Sequence, residues 1–290
     1  MKTQRQTRNR SSLAGGFLLL ATFVVASAIL STESHAAVIY RQNFGYLGTN
    51  PGTGERTTLS NVGWNGLSSA SVGGNVNTSP AYYVRNSNYT GRPTNLSNVN
   101  APVSASDQYG LVQIFRADNQ ALESLIYTDQ YSIDRTDFEI DTISWYAAGT
   151  SGGANQESLR GALQIGGSWY VSQQMFAIAL AGNNPANFGT SAGLVSLNMD
   201  TATWYTLTAS VGSPFAIGSV ATALPTGDVS AFGLFGVPRQ VNGSYLMFDS
   251  FTIDATAVPE PSGILLVGVA LALGFILTPR TRNGKLKAGV

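Results

Sequence analysis

Residues 244–253 read Ser244-Tyr245-Leu246-Met247-Phe248-Asp249-Ser250-Phe251-Thr252-Ile253, a short apolar and aromatic run that is typical of a β-strand. Similar runs recur from residue 37 onward, and the chain between them has almost no helical periodicity. We predict strands at 38–44, 81–85, 111–115, 137–146, 160–165, 168–172, 175–180, 203–209, 229–235 and 244–253. Turns rich in Gly, Asn, Pro and Ser separate these strands. The pattern predicts an all-β fold built as a single antiparallel sandwich.

The predicted strands occupy residues 37–257, a span of the size that one all-β domain usually fills. Within it, residues 48–107 are rich in Gly, Ser, Thr and Asn and contain few long apolar side chains. We predict long loops over one face of the domain there, with one or two strands such as 81–85.

Residues 1–36 have the layout of a secretory signal. A basic start precedes an apolar run over residues 13–30, and Ser34 and Ala36 stand at the −3 and −1 positions of a cleavage site. We predict an N-terminal signal helix and cleavage between Ala36 and Ala37. The alternative is an uncleaved membrane anchor, because the apolar run is longer than is usual for a signal peptide.

The C-terminal segment 258–287 has three parts. Val258-Pro259-Glu260-Pro261-Ser262 comes first, followed by an uninterrupted apolar run over 263–277 and a basic end containing Arg280, Arg282, Lys285 and Lys287. As a helix the apolar run would be only about 22 Å long, against a hydrocarbon core of about 30 Å. We predict a short transmembrane helix whose basic end stays in the cytoplasm, with the domain outside. The two prolines keep residues 259–261 extended at the membrane surface.

This segment resembles the PEP-CTERM sorting signal of Gram-negative bacteria. The resemblance is carried by Pro259, Glu260 and Pro261, by the single apolar helix and by the basic end. It implies that an exosortase recognises and processes the tail, and that the protein reaches the cell surface or an extracellular matrix. The alternative is a proline-rich linker before an ordinary tail anchor.

The charges and the missing residue types exclude several functions. Residues 37–257 contain eight arginines, no lysine and fourteen carboxylates, a net charge of −6, so the domain offers no basic face to nucleic acid. The chain has no cysteine, and its single histidine is His35. A cleavage after Ala36 removes this histidine, and with it histidine-dependent triads and zinc sites.

The first and last strands resemble those of concanavalin A-like and laminin-G-like jelly rolls, on residues 40–44 and 245–253. The resemblance implies a jelly-roll sandwich in which these two strands pair. Glu139-Ile140-Asp141-Thr142-Ile143-Ser144 also looks like the Glu-x-Asp-x-x-Glu strand of laminarinase-type glycoside hydrolases on that fold. Because Ser144 stands where the acid/base is expected, and serine cannot protonate a glycosidic oxygen, we predict no catalytic residue here and no enzymatic activity.

Two candidate binding sites remain. Trp145-Tyr146, Trp169-Tyr170 and Trp204-Tyr205 are three aromatic pairs on predicted strands, with one ring of each expected in the core and the other on the surface. Outer rings aligned across one sheet would form a platform for sugar rings, and the alternative is that a second layer or loops cover them. Asp249, near Asn43 or Gln42, is a candidate for a structural Ca²⁺, and no other cofactor is expected.

The leading hypothesis is an exported, non-enzymatic surface or matrix protein that is processed by an exosortase, held by its C-terminal helix in the inner membrane as an intermediate, and binds or organises extracellular polysaccharide. The alternative is a polysaccharide-active glycoside hydrolase on a jelly-roll fold.

Overall fold

The structure is a computed structural model that describes residues 35–44, 56–69, 82–86, 97–101, 110–115, 123–149, 158–177, 193–221, 223–237 and 245–259. Contacts divide the chain into two units, Met1–His35 and Ala36–Val290, and every described residue except His35 belongs to the second. No helix among these residues is long and apolar enough to cross a membrane. The predicted signal helix and the predicted helix over 263–277 lie outside the described residues.

The described chain consists almost entirely of strands. They are β1 (Ala37–Gln42), β2 (Arg56–Thr57), β3 (Asn65–Ser68), β4 (Tyr82–Asn86), β5 (Gly110–Phe115), β6 (Ser124–Thr128), β7 (Phe138–Gly149), β8 (Ser158–Ile165), β9 (Ser168–Ser172), β10 (Phe176–Ala177), β11 (Gly193–Asn198), β12 (Trp204–Thr208), β13 (Ala216–Ala221), β14 (Val229–Val237) and β15 (Tyr245–Ala257). One turn of 3-10 helix, Leu59–Val62, precedes β3.

The strands form two antiparallel sheets. Sheet A has the order β11-β7-β15-β5-β4-β2, with β1 also paired to β15, and sheet B has the order β13-β12-β9-β8-β14-β6-β3, with β10 also paired to β8. One apolar core contains side chains from both sheets. The predicted all-β antiparallel sandwich is thereby confirmed, and the first and last strands pair as expected, with Ala37 opposite Ala255 and Gln42 opposite Phe251.

All ten predicted strands correspond to strands of the structure, although β10 covers only residues 176–177 and residues 178–180 lie outside the described ones. The prediction omitted five strands, which are β2, β3, β6, β11 and β13. Two of them, β2 and β3, fall in the segment predicted to be mostly loop.

Aromatic side chains of β1, β14 and β15 fill the centre of the core. Phe232 and Phe251 are stacked, with ring centroids 5.9 Å apart, and Tyr40 meets Phe232 edge to face at 4.7 Å. Phe44 and Trp64 meet edge to face at 4.9 Å. Each of these five side chains is fully buried, so together they contribute a large share of the apolar area that stabilises the fold.

A β-bulge in β15 allows two of its aromatic side chains to enter this core. Strict alternation would send Phe248 and Phe251 to opposite faces of the sheet. The register between β15 and β7 shifts between Asp249 and Thr252, and Ser250 has a positive φ of 53°. The extra residue reverses the alternation, and both phenylalanines point inward.

Sheet B also has an apolar outer face. The outer cluster, on the face away from the core, consists of Leu125, Ala162, Trp169, Val171, Leu207, Phe215, Ala231 and Phe235. The segment between β12 and β13 lies against this face, because the Phe215 N–H donates to a Glu123 carboxylate oxygen at 2.7 Å and the Gly212 N–H donates to the Ser68 carbonyl at 3.2 Å. These two hydrogen bonds therefore connect the loop between β12 and β13 to β3 and to the residue before β6, at the opposite edge of sheet B.

A buried hydrogen-bond chain links β1 to the segment before β3. The Trp64 indole N–H donates to the Tyr40 hydroxyl at 3.1 Å, and the Thr128 hydroxyl donates to the Gly63 carbonyl at 2.8 Å. Tyr40 also bonds to Thr128, and burial raises the pKa of its phenol well above the ordinary value.

Replacing Tyr40 with phenylalanine should lower the free energy of unfolding by about 1–3 kcal/mol, because the buried Trp64 N–H would lose its acceptor. Urea unfolding followed by tryptophan fluorescence measures this, with Tyr131→Phe as the control, since the Tyr131 hydroxyl takes part in an exposed bond to Asn100.

The raised pKa of Tyr40 also predicts a pH dependence. The free energy of unfolding of the parent should fall as pH rises above about 10, the ordinary tyrosine pKa, and Tyr40→Phe should lack the part of this fall that comes from the Tyr40 phenol. Equal unfolding midpoints for parent and Tyr40→Phe would contradict the role of the hydroxyl.

Candidate functional site

A cavity of about 360 Å³ opens between the two sheets at one end of the sandwich. Ile140 of β7 forms part of its wall from sheet A, and Leu163 and Ile165 of β8 form the facing wall from sheet B. Trp204 of β12 also lines it. The volume is at the small end of the range for ligand pockets, so the cavity is large enough for one small group such as a sugar ring.

Three charged side chains lie around this cavity. Glu139 is the second residue of β7 and is exposed, Asp200 lies in the turn after β11 and is exposed, and Arg135 is half-buried just before β7. The Arg135 guanidinium donates to the Pro225 carbonyl at 2.7 Å, which fixes the arginine across the turn that leads into β14. The site therefore combines two carboxylate acceptors, one guanidinium donor and the largely buried indole of Trp204.

Local turn chemistry positions two of the charged residues. The Asp134 carboxylate accepts the Thr136 N–H at 2.8 Å and the Thr136 hydroxyl at 2.7 Å, closing the turn that carries Arg135. These bonds hold the pKa of Asp134 below its usual range. In the turn after β11, the Asp200 N–H donates to the Asn198 side-chain oxygen at 2.9 Å. Both turns thus depend on a side chain that accepts a hydrogen bond from the residue two positions later.

The two carboxylates considered from the sequence, Glu139 and Asp141, lie in different surroundings. Glu139 lines the cavity, whereas the Asp141 carboxylate accepts the Thr256 hydroxyl at 2.8 Å on the neighbouring strand and is not a lining residue. The register shift between Asp254 and Ala255, which pair with Thr142 and Ile140, makes Asp141 the extra residue of a β-bulge. Ser144 pairs with Thr252 and Ser196 in the ladder. The carboxylate that shares the cavity with Glu139 is Asp200, and sequence reasoning missed both Asp200 and Arg135.

The three aromatic pairs are divided between the two sheets, because Trp145 and Tyr146 belong to β7 of sheet A and the other two pairs to sheet B. Trp145 and Trp204 are core residues, and their partners Tyr146 and Tyr205 are half-buried, as alternation predicts.

The remaining pair differs from this expectation. Tyr170 is in the core and Trp169 is in the outer cluster, yet both are only 9 % exposed. Trp169 packs edge to face on Tyr127 at 5.1 Å, so the rings do not form one flat platform, and Trp204 is the only one of the six that lines the cavity.

The candidate calcium ligands Asp249 and Asn43 are both buried. One Asp249 carboxylate oxygen accepts the Ser250 N–H at 2.6 Å, and the Asn43 N–H donates to the Asn98 side-chain oxygen at 2.9 Å. In the part of the chain that the structure describes, no three acidic or histidine side chains come together as a metal site. A calcium ion at this place would therefore depend on amide and backbone oxygens beside Asp249.

Of the predicted tail, the structure describes only Val258 and Pro259; Glu260, Pro261, Arg280, Arg282, Lys285 and Lys287 lie outside the described residues. At the other end Ala36 and Ala37 are both exposed, and Ala37 begins β1. No known family model matches the sequence, and no curated protein matches it.

Proposed function

We propose that this chain is an exported cell-envelope or extracellular-matrix protein of a Gram-negative bacterium, sorted by an exosortase through its C-terminal tail, and that its jelly-roll sandwich binds or organises extracellular polysaccharide without catalysing a reaction. The sorting half of the proposal rests on the sequence of the tail. The binding half rests on the cavity at the end of the sandwich.

The position of Pro259 supports the sorting half. β15 ends at Ala257, and the Val258 N–H donates to the Asp137 carbonyl at 2.8 Å. Ala257, Val258 and Pro259 are exposed. Pro259, the first residue of the proposed motif, therefore follows the last strand by two residues and is itself exposed.

The single observation that carries the binding half is the cavity, which places Trp204 in the same space as Arg135, Glu139 and Asp200. Sugars present apolar ring faces together with hydroxyl groups that both donate and accept. Apolar lining residues and the largely buried Trp204 indole, with carboxylate and guanidinium groups around them, match that combination of surfaces.

Glycan-array binding by the purified protein tests this proposal. Arg135→Gln and Asp200→Asn should each weaken binding by about tenfold or more, because each removes a charged hydrogen-bonding group from the cavity. Asp129→Asn is the matched control, since Asp129 is an exposed carboxylate that does not line the cavity. Binding that is absent from the parent, or equally strong in all variants, would contradict a saccharide site in the cavity.

One observation favours the second candidate, a glycoside hydrolase. Glu139 and Asp200 line the same cavity, and glycosidases act with two carboxyl groups that flank the scissile bond. Both side chains are exposed, however, whereas a general acid is typically held in an apolar pocket. Release of reducing sugar from β-glucans that disappears in Glu139→Gln would establish the hydrolase, and we expect no release.

A further inference from the structure

The edge strand β13 of sheet B carries an exposed, uncharged surface. Its sequence is Ala216-Ile217-Gly218-Ser219-Val220-Ala221, and within the described residues it pairs only with β12. Ile217 is 41 % exposed and Val220 is 48 % exposed. Natural sheets usually protect such an edge with lysine, proline or inward-pointing charge, and β13 contains none of these.

A β-bulge gives this strand an unusual symmetry. Val220 pairs with Tyr205 and Ile217 pairs with Leu207, so that Thr206 alone faces the two residues Gly218 and Ser219. Leu207 belongs to the outer cluster and Tyr205 packs against it. Because paired residues point to the same face of a sheet, Ile217 and Val220 both point outward although they are three positions apart.

The inward positions repeat the symmetry. Ala221 pairs with Trp204, which is a core residue, and Ala216 pairs with Thr208 four positions later on β12. Alanine therefore occupies both inward positions, an aliphatic β-branched residue occupies both outward positions, and two small residues lie at the centre. From either end, the strand therefore shows an inward alanine, then an outward β-branched residue, then a small residue.

This symmetry fits a second copy of the strand. Around a two-fold axis between Gly218 and Ser219, antiparallel pairing would place Ile217 of one copy opposite Val220 of the other, on the same face. Aliphatic β-branched side chains opposite one another are favourable cross-strand pairs. The two bulges would meet at the axis, so the residues on either side keep a common register.

The distribution of charge along the chain also favours a second copy as the partner of β13. Residues 37–257 have a net charge of −6, so two copies of the domain repel one another in general. Residues 201–227 contain no charged side chain, and β13 lies near the middle of this stretch. The symmetric edge itself therefore adds no charge to this repulsion.

The other sheet provides a comparison. Its edge strand β11 also lacks charge and has a 62 % exposed Leu194, but its register with β7 is continuous. Without a bulge, a two-fold axis at Ser196 would place Leu194 opposite Asn198, an aliphatic side chain against an amide. The edge of sheet A is therefore less complementary to itself than the edge of sheet B.

We propose that the protein self-associates through β13, which pairs antiparallel with β13 of a second copy about a two-fold axis between Gly218 and Ser219. The pair joins two copies of sheet B into one continuous sheet and packs Ile217 of each copy beside Val220 of the other. This inference is independent of saccharide binding and of tail processing.

The test uses the absence of cysteine from the chain. Ser219→Cys in the full chain, purified in mild detergent, introduces one thiol beside the proposed axis, and a short bismaleimide should convert the protein to a covalent dimer. Ser196→Cys introduces a matched thiol on the exposed edge of sheet A. We expect a much higher dimer yield from Ser219→Cys than from Ser196→Cys.

Second substitutions in the Ser219→Cys background separate edge pairing from other kinds of association. Val220→Lys should reduce the dimer yield several-fold, because it places a charge in the paired edge, whereas Val220→Thr, which keeps a neutral β-branched residue, should retain the dimer. Leu194→Lys adds the same charge to the other edge and should leave the yield unchanged. Equal yields from the two thiols, no dimer from either, or a dimer that survives Val220→Lys would overturn the proposal.

Discussion

Replacing Gly233 with alanine should destabilise the domain by about 3 kcal/mol or more, a large part of the 5–15 kcal/mol that is typical of folded domains. Gly233 lies in β14 between β8 and β6, opposite Ala162 and Tyr127. A Cβ atom at this position would collide with the Ile126 carbonyl oxygen and would stand 2.6 Å from the Tyr127 Cα. Both atoms are backbone, so relief of the clash requires β6 to move away from its ladder partner.

Two other glycines make the Gly233 experiment a graded series. At Gly236 on the same strand, the atom nearest to an added Cβ is the Leu246 Cδ2 at 2.7 Å, the end of a flexible side chain, so Gly236→Ala should cost less. At Gly193 on β11 nothing lies within 4 Å, and Gly193→Ala should be close to neutral. Urea unfolding followed by tryptophan fluorescence ranks the three variants, and a Gly233→Ala protein as stable as Gly193→Ala would show that β6 does not approach β14 as described.

Replacing Pro259, Glu260 and Pro261 together by alanine should abolish sorting, and the protein should accumulate in the inner membrane at its full length after signal cleavage. The alanines would allow a helix to run continuously into the membrane and would remove the extended recognition stretch. Replacing Arg280, Arg282, Lys285 and Lys287 by neutral residues should have a related effect, because it would remove the positive charge that is proposed to hold the C-terminus in the cytoplasm.

Fractionation of cells with and without an exosortase measures this prediction. An epitope can be placed in the turn between β8 and β9, where Gly166 and Gly167 have positive φ angles and nothing lies within 4 Å of an added Cβ. Val258→Ala is the matched control, because Val258 is exposed and precedes the motif. N-terminal sequencing of the same fractions locates the signal cleavage, expected before Ala37. Efficient delivery of the alanine variant to the surface would mean that the tail is only an anchor.

The strands that could be predicted from the sequence are the ones that carry long apolar or aromatic runs, such as β7 and β15. β3 and β13 were missed because they consist mainly of small or polar residues, which are equally typical of loops. β6 was missed because its sequence does not alternate between apolar and polar residues. Four of its five residues are buried, so both faces of the strand are covered and no alternation is required. Composition alone does not distinguish such strands from loops, since their burial depends on neighbours that are distant in the chain.

The candidate site could be predicted only in part, for a related reason. Glu139 and Trp204 were singled out because each belongs to a recognisable local pattern. The sequence, however, grouped Glu139 with Asp141 and Trp204 with the other aromatic pairs. Arg135 and Asp200 come from two turns that carry no motif, and the packing of the two sheets brings them to the same cavity. The bulges in β7 and β15 likewise shift side chains from one face to the other, and strict alternation cannot anticipate them.

The place of β15 in sheet A also has a consequence for the timing of the proposed export. This strand is the last of the domain, yet it pairs with β7 along one side and with β1 and β5 along the other, and it supplies Phe248, Phe251 and Ile253 to the core. In a chain that crosses the membrane N-terminus first, neither sheet A nor the core can be completed until residue 257 has emerged. By then the tail, which follows the strand directly, would already be in the translocation channel of the proposed route. On the proposed export route, folding of the domain is therefore a late event, because it needs β15 to pair with β1, more than 200 residues earlier in the chain.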